Sequence, residues 1–562
     1  MVTASKICRK IISALGTALL LSLVFLNFFM RAYMPLTKKE HMEFYRVESL
    51  FMVLAGSFIL LFIIILRKNL LRHLPPQTVS AVSAIFYLIS GLVLIFHAGT
   101  TVRSDVLECF LAAQGFHKGD FSSLKEGGYL FENAHQIGFI LFETLLVRIS
   151  QNARVLFFLN LILAIVDNLL IVRLASITTG GNREAVTIAG LLAMLFLPHL
   201  HFILFGYNQQ ISMTLMLAAA VCMGKFIRTH SILPLFFMGV FSFLSVCVRG
   251  NSGIFVMAEI LLILLHMMRG TGRKASKKSA AYDEWNAPTY GRDGSDRSSA
   301  RRNLLCLAAA IVLAAALLCA GPAMRAAGRN AAGQEIPKEL PKTMWVAMGM
   351  QDGPRAAGWY NGYIYRAYRK NGYDLALAAA DSRKEIHDRI QVFHGDLGLF
   401  VYFYSEKIYS TWCEPTFESI WSGPLEDMDQ QMGGRLLHQL YAGGVLYAMF
   451  VNYCSIINLI IFAGAFVGMF LLLVNVVRRR GAKSLSPAGL DMLLFPCILL
   501  LGGFLFHIFW ETKSQYVMIY VYMLIPLSAF GYACVCPETF RKAKNLFHKA
   551  AADGKDPSLR SG

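Results

Sequence analysis

Residues 78–98 read TVSAVSAIFYLISGLVLIFHA; closely behind come residues 103–136, RSDVLECFLAAQGFHKGDFSSLKEGGYLFENAHQ, and residues 137–149, IGFILFETLLVRI. The first stretch is apolar and long enough to cross a hydrocarbon core of about 30 Å. The second is polar and opens with an acidic residue, Asp105, just past the end of that span. The third is apolar but short, and it carries Glu143 and Arg148. Whether it crosses the membrane decides the topology of everything downstream.

Apolar runs of spanning length also fall near residues 11–30, 47–66, 155–172, 186–203, 209–227, 232–248, 253–268, 303–321, 449–477, 488–509 and 516–536. Loops rich in Lys and Arg stay on the cytoplasmic side. Lys6, Arg9 and Lys10 therefore put the N-terminus inside, as Arg67, Lys68 and Arg72 do the turn after the second run. The run at 78–98 then exits, and Asp105 lies outside. If 137–149 crossed, the basic clusters at Arg173 and Arg183, Lys225 and Arg228, Arg269 to Arg302, Arg478 to Lys483 and Arg541 to Lys549 would all land outside. If it does not cross, they land inside. The expectation is an amphipathic surface helix over 134–150, polar at Gln136, Glu143 and Arg148, because charges are expensive at mid-bilayer. That gives 12 spans with both termini cytoplasmic.

Composition agrees. The 562 residues are 56% apolar, 12% aromatic and only 16% charged, against about 25% charged in average soluble domains. The formal charge of +18 is spread over short runs between spans, which marks topology and not a nucleic-acid face. Most of the 11 cysteines lie in the expected spans, and none has zinc spacing. Cys109 and Cys413 look external, where a disulfide is conceivable. The N-terminal apolar run is long for a signal peptide and lacks a small-x-small site before Arg31, so it reads as a retained anchor.

The expected organisation is a two-span segment (1–77), a membrane core (78–268), a disordered cytoplasmic linker (269–302), a single span (303–321), an outer subdomain (322–446), a three-span segment (447–536) and a basic tail (537–562). The linker is rich in Ser, Gly, Lys and Arg. The outer subdomain holds Trp345, Trp359, Trp412 and Trp421 and looks helical over 384–404, so it has the material for a packed core.

Chemistry should gather where carboxylates meet water at the membrane rim. Asp105 and Glu108, three apart, share a helix face. Asp105 suits two roles: a general base toward a hydroxyl, or the N-cap of a helix over Val106–Gln114. Asp120 and Glu108 suit capping; Glu132, His135 and Gln136 complete the loop. Glu511, Lys513 and Tyr516 follow the eleventh span, where Lys is a compact charge suited to phosphate and Lys and Tyr also anchor interfaces. Arg249, in VCVRGNSG, runs against the positive-inside trend, as a headgroup ligand or a bundle salt bridge. Lys407, Trp412 and Glu414 suit the acceptor side or packing, and packing fits them better. No strand–GxGxxG–helix context exists, so a nucleotide-sugar donor is not expected.

A span, an outer loop opening on an acidic residue and an interfacial helix beginning near His135-Gln136 together resemble the GT-C class of membrane glycosyltransferases. That class includes protein O-mannosyltransferases and the aminoarabinose transferase that modifies lipid A. The pieces most similar to a Firmicutes-type branch of the class are RSDVLECFLAA (103–113), GDFSSLKEGGYL (119–130), HQIGFILFE (135–143), WVAMGMQDGPRAAGWYNGY (345–363), KIYSTWCEPTFESIW (407–421) and FWETKSQYVMIYVYMLIP (509–526). The resemblance implies an α-helical polytopic fold. It also implies transfer, with inversion, from a polyprenyl-phosphate sugar to a cell-envelope glycan, lipid or protein, with Asp105 as base and Arg249, Lys513, Glu511 and Tyr516 around the donor phosphate. Glu108, Asp120, His135, Gln136 and Asn208 fall to the acceptor or loop side. Two departures stand out. Asn133 and Ala134 replace the tyrosine-proline expected before His135. The next outer loop, PHLHFILFGYNQQ (198–210), has His199, His201, Tyr207 and Asn208 but no second carboxylate. A two-carboxylate metal site is therefore absent from the expectation; no cofactor and no nucleic acid are implied. A transporter or lipid-linked glycan flippase is the alternative. It would show paired mid-span charges and symmetric halves, whereas the mid-span charges are mainly Asp167 and Glu259 and no repeat is evident.

Overall fold

A computed structural model describes residues 2–37, 39–46, 48–68, 71, 74–97, 102–269, 296–424, 435–478 and 486–535. Most of the expected linker and the whole basic tail lie outside these residues.

Almost all that is described is helix. The chain opens with α1 (Val2–Phe29), a hairpin of β1 (Met30–Tyr33) and β2 (Glu43–Arg46), then α2 (Ser49–Arg67) and α3 (Pro76–His97). Shorter elements follow: α4 (Ser104–Lys118), α5 (Tyr129–Glu132) and α6 (Ile137–Val147). The central group is α7 (Arg154–Thr178), α8 (Arg183–Leu195), α9 (Leu197–His201), α10 (Asn208–Thr229), α11 (Ile232–Val248), α12 (Gly253–Met267) and α13 (Asp296–Ala332). Next come α14 (Lys342–Gly349), α15 (Tyr363–Lys370), α16 (Leu375–Gly395), α17 (Leu397–Trp412) and α18 (Arg435–Tyr441). The last are α19 (Val445–Arg478), α20 (Pro487–Phe509), α21 (Ser514–Met523) and α22 (Ile525–Val535).

The helices are built for lipid. On α3 the inward face holds Val79, Ser83, Tyr87, Gly91 and Leu94 at near-helical spacing, including two small residues. The outward face is Val82, Ile85, Ile89, Val93 and Phe96, all exposed. A continuous apolar face turned outward is a liability in water but ordinary against acyl chains. Close packing uses glycine: a Cβ on Gly531 of α22 would strike the backbone of Gly464 and Gly468 on α19, a GxxxG pair. The protein is an all-α polytopic membrane protein. Among the described residues eight helices are long and apolar enough to span, or ten if two bent pairs each count once. The bends are 48° between α8 and α9 and 42° between α21 and α22. Two other expected spans, at Phe51–Ile65 and Ile232–Val248, are helical but shorter. The span expected over 303–321 runs on to Ala332 through Pro322.

The loops sort to two ends. At one end Ala32 N–H bonds the Cys413 carbonyl, Met42 N–H the Arg355 carbonyl and Asn208 the side chain of Gln136. At the other, Arg9 and Arg269 meet Asp491, and Arg228 bonds the Ile177 carbonyl. Residues 102–153 begin and end at the first end: Arg103 Nε donates to the Gly423 carbonyl at 3.1 Å, and Gln114 bonds the Gln151 carbonyl at 3.0 Å. With 11 residues, α6 is about 16 Å long, half the hydrocarbon core.

One expectation needs correction. Segment 134–150 is not an amphipathic helix lying polar side outward. Gln136 and Glu143 are buried, and the exposed residues are His135 at the start, Leu145, and Arg148 and Ile149 at the end. The side of α6 turned to its neighbours α4, α11 and α13 is mostly apolar, with Ile137, Phe139, Ile140 and Val147 buried beside Glu143 and Thr144. Cys109 and Cys413 are each buried and free, so the disulfide is not made.

Candidate functional site

The loop end gathers most of the residues singled out from the sequence. Asp105 does not cap α4. The cap position is Arg103, with no side-chain hydrogen bond, and Asp105 sits in the first turn, where the helix dipole favours an anion. Ser104, directly before it, holds a left-handed φ of 53°, a strained setting for a non-glycine residue that recurs at functional positions. Asp105 is open to water, yet protein mass crowds it. Burial raises its carboxyl above the ordinary range, countered by Lys513, a hydrogen bond from Tyr129 and Arg355, while Glu40 raises it further.

Around it lies a charge network that no local pattern announced. Glu40, from the β1–β2 loop, is almost wholly buried and accepts from Arg355 Nη1 and Lys513 Nζ, each at 2.5 Å. One carboxylate thus serves two cations and leaves a net positive charge near Asp105. Burial works against the Lys513 charge, but Glu40 and Glu418 outweigh it and hold its pKa up. Lys513 is therefore less a free phosphate grip than an anchored cation. Glu511, beside it, is pushed up to about 7, by burial first and by Glu40 next, against the pull of Lys513, Lys407 and Arg355.

Glu414 and Glu418 occupy a tight loop in which Phe417 and Glu418 are both left-handed, at φ 52° and 55°. Glu414 holds the loop by accepting from the backbone N–H of Thr416 and of Glu418 and from the Ser514 hydroxyl. Ser514 Oγ lies 3.0 Å from Glu418 Oε1. Burial lifts the Glu418 carboxyl to about 8 despite Lys513, with Glu40 and Glu414 adding to the rise. Lys407 serves packing: it donates to the carbonyls of Gly349, Ile508 and Trp510, three acceptors that match an ammonium's three protons.

The second half of the site centres on Arg249, between α11 and α12. Its Nη1 donates to Asn208 Oδ1 at 3.3 Å, and its guanidinium lies 5.3 Å from the Tyr516 ring. Among the described residues no carboxylate comes within ion-pairing distance of it. Asn208 in turn bonds Gln136, which donates to Tyr207. Tyr207 and Tyr516 lie within range of both Asp105 and Arg249 and so bridge the halves. Beneath Arg249 a small cleft runs between α10, α12, α20 and α21. Gln209, Asn251, His507 and Tyr516 stand at its polar side, and Met213, Met216, Phe255, Leu499 and Ile519 line the rest. On the outer side Trp345 stacks on Trp510 with planes 8° apart, and His135 meets Trp345 edge-on. Flat aromatic faces of this kind suit sugar rings.

Asp105, Arg249, Lys513, Glu511, Tyr516, Gln136 and Asn208 are thus brought together. Glu108 is exposed on α4, one turn on from Asp105. Asp120 stays apart: fully exposed, it accepts from Ser122 N–H and is held low by that bond. Sequence reading missed Glu40, Arg355 and Glu418. Their one signal was that all are charges in loops assigned to the outer side. No protein-family model matches this chain, and no curated protein matches it either.

The buried carboxyls make stability pH-dependent. Glu511 and Glu418 hold protons in the fold up to about 7 and about 8, against about 4.3 unfolded. The folded state binds the extra protons, so this contribution is complete below the unfolded value and is lost as pH rises through the folded ones. The thermal midpoint should fall between about pH 5 and pH 8, and Glu418→Gln should flatten that slope; an unchanged slope in the variant counts against this assignment.

Proposed function

We propose that this chain is a GT-C-type membrane glycosyltransferase of 12 spans that moves a sugar from a polyprenyl phosphate to a cell-envelope glycan, lipid or protein. The observation that carries the reading is the meeting, at one end of the bundle, of an exposed carboxylate of raised pKa with an arginine that has no ion-pair partner among the described residues. A small cleft with a mostly apolar lining lies below that arginine, with room for about one water in its present form. An isoprenoid phosphate needs such a setting: a cation for its head and a lipid-facing groove for its tail. A count of 12 takes the ten possible spans and the shorter helices at Phe51–Ile65 and Ile232–Val248 as crossing and the third short apolar helix, Ala134–Val147, as not crossing. Short helices α4, which carries Asp105 in its first turn, and α6, both between two spans, also fit the class. Lys6, Arg9, Lys10, Arg228 and Arg269 lie on loops or helix ends opposite the site, so the positive-inside rule puts both termini in the cytoplasm and the site outside.

In this reading Asp105 takes the proton of the acceptor hydroxyl as its oxygen attacks the anomeric carbon. The bond from that carbon to the phosphate oxygen breaks with inversion, and the electron pair leaves with the polyprenyl phosphate. Arg249 meets the charge that develops on that oxygen, and the Lys513–Glu40–Arg355 group sets the field around it. The Trp345 and Trp510 faces bound the sugar side.

The direct test is transfer from labelled polyprenyl-phosphate sugars by purified protein in lipid. Accumulation of free polyprenyl phosphate with a glycosylated acceptor is expected; vectorial movement of intact lipid-linked glycan without bond cleavage would replace this reading with flipping. Removing a charged hydrogen-bond donor costs about 1.5–3 kcal/mol. Arg249→Ala should therefore weaken donor binding at least about tenfold; unchanged donor affinity would take Arg249 out of the site.

A further inference from the structure

At the opposite end of the bundle a second cluster has a different chemistry. His230 ends α10, His266 lies in the last turn of α12, and Cys306 lies on α13. Their ligand atoms all fall within 4.8 Å of one another, with His266 and Cys306 buried and His230 half-buried. The two imidazoles face each other through Nε2 at 3.1 Å. Two nitrogens bound to one tetrahedral ion at 2.0–2.1 Å stand about 3.3 Å apart, so this spacing needs little adjustment. His230 is delivered by a left-handed backbone, φ 48°, with its N–H on the Phe226 carbonyl at 2.7 Å.

What lies behind His266 points to a ligand. Its Nδ1 is 2.7 Å from Asp491 Oδ2. Asp491 also receives Arg9 and, at 3.2 Å, Arg269, and two guanidinium groups keep it a carboxylate. A carboxylate only accepts, so Nδ1 of His266 carries the hydrogen. In the neutral ring Nε2 then presents a lone pair toward His230 and Cys306. A carboxylate that orients a histidine in this way is the outer half of a carboxylate–histidine–metal arrangement.

We propose that His230, His266 and Cys306 form a transition-metal site, of the Zn2+ class, with an open fourth position. Two imidazoles and a thiolate are borderline-to-soft donors that select such ions over Mg2+ or Ca2+, which take oxygen ligands. Binding releases the thiol proton of Cys306, and the thiolate offsets part of the cation's charge beside Arg9 and Arg269. The ion would tie the α10–α11 turn, α12 and α13 together, with α20 engaged through Asp491. The inference is independent of the sugar-transfer reading, because the residues and the end of the bundle differ.

The test uses the full chain, purified in detergent and stripped with chelator. Titration with Zn2+ should bind one equivalent and raise the thermal midpoint. Co2+ should give tetrahedral d–d bands together with a thiolate-to-cobalt charge-transfer band. Cys306→Ser should lose the charge-transfer band, and His230→Gln should weaken binding at least tenfold. A direct His230–His266 hydrogen bond with no ion predicts instead that stripped wild-type protein binds no stoichiometric Zn2+ or Co2+; that result overturns the proposal. Binding with the charge-transfer band intact in Cys306→Ser overturns it as well. The wild-type titration decides even if a variant fails to fold.

Discussion

Asp105→Asn is expected to fold normally and to lose turnover by about 10²- to 10⁴-fold, the range for removing a general base. The change is isosteric, and the residue is open to water in the first turn of α4, its main-chain position set by Ser104 and Arg103 and not by its own side chain. The asparagine keeps an oxygen that accepts from Tyr129, so activity should fall far more than stability. The amide cannot accept a proton, whereas the native carboxyl, raised by burial and by Glu40 against Lys513 and Tyr129, is a better base than an ordinary aspartate. Wild-type kcat/KM should accordingly rise with pH through a value above the usual aspartate range, and the variant should lack that limb. Donor binding should persist, because Arg249 and the cleft are untouched. Transfer assays with a donor-binding control read all of this; full turnover in Asp105→Asn would remove the base from the mechanism.

Glu40→Gln is expected to be the most destabilising single change at the site. Arg355 and Lys513 share this one buried carboxylate. Without it, two cations face each other in a setting where losing a buried partner typically costs about 3–5 kcal/mol. Aromatic faces soften the loss: Lys513 lies 5.9 Å from the Trp359 ring and 6.0 Å from Trp421, and Arg355 4.8 Å from Tyr360. The lower part of that range, roughly 3 kcal/mol, is the better expectation. Removing one cation as well, in Glu40→Gln with Lys513→Met, should recover part of the stability, since the residues are coupled. Thermal unfolding of the single and double variants measures it. Equal midpoints for wild type and Glu40→Gln would mean that the network contributes little.

Much of the fold was legible because the bilayer imposes a length on each apolar run and a side on each basic cluster. These constraints act locally, so runs such as 78–98 and 488–509 appear as helices where hydropathy places them. They also confined 102–153 to one end. Sorting of loops to that end nominated Asp105, Arg249, Glu511, Lys513 and Tyr516 from positions hundreds of residues apart. Direction within an element was less legible. The polar residues of α6 turned inward, because in a lipid-facing helix the buried side is where a carboxyl can go. The β1–β2 hairpin and the bends at α8–α9 and α21–α22 also escaped notice, being set by neighbours and not by local composition.

Hydropathy and charge alone determined that this is a multi-pass helical membrane protein whose acidic loops share one face. Only the tertiary structure decided which charges meet: Glu40 with Lys513 and Arg355, and Asp491 with Arg9, Arg269 and His266. The physical reason is range. Transfer of a side chain into lipid is a property of that residue and its near neighbours, whereas an ion pair across more than 200 residues of chain exists only once packing has brought both partners to the same point.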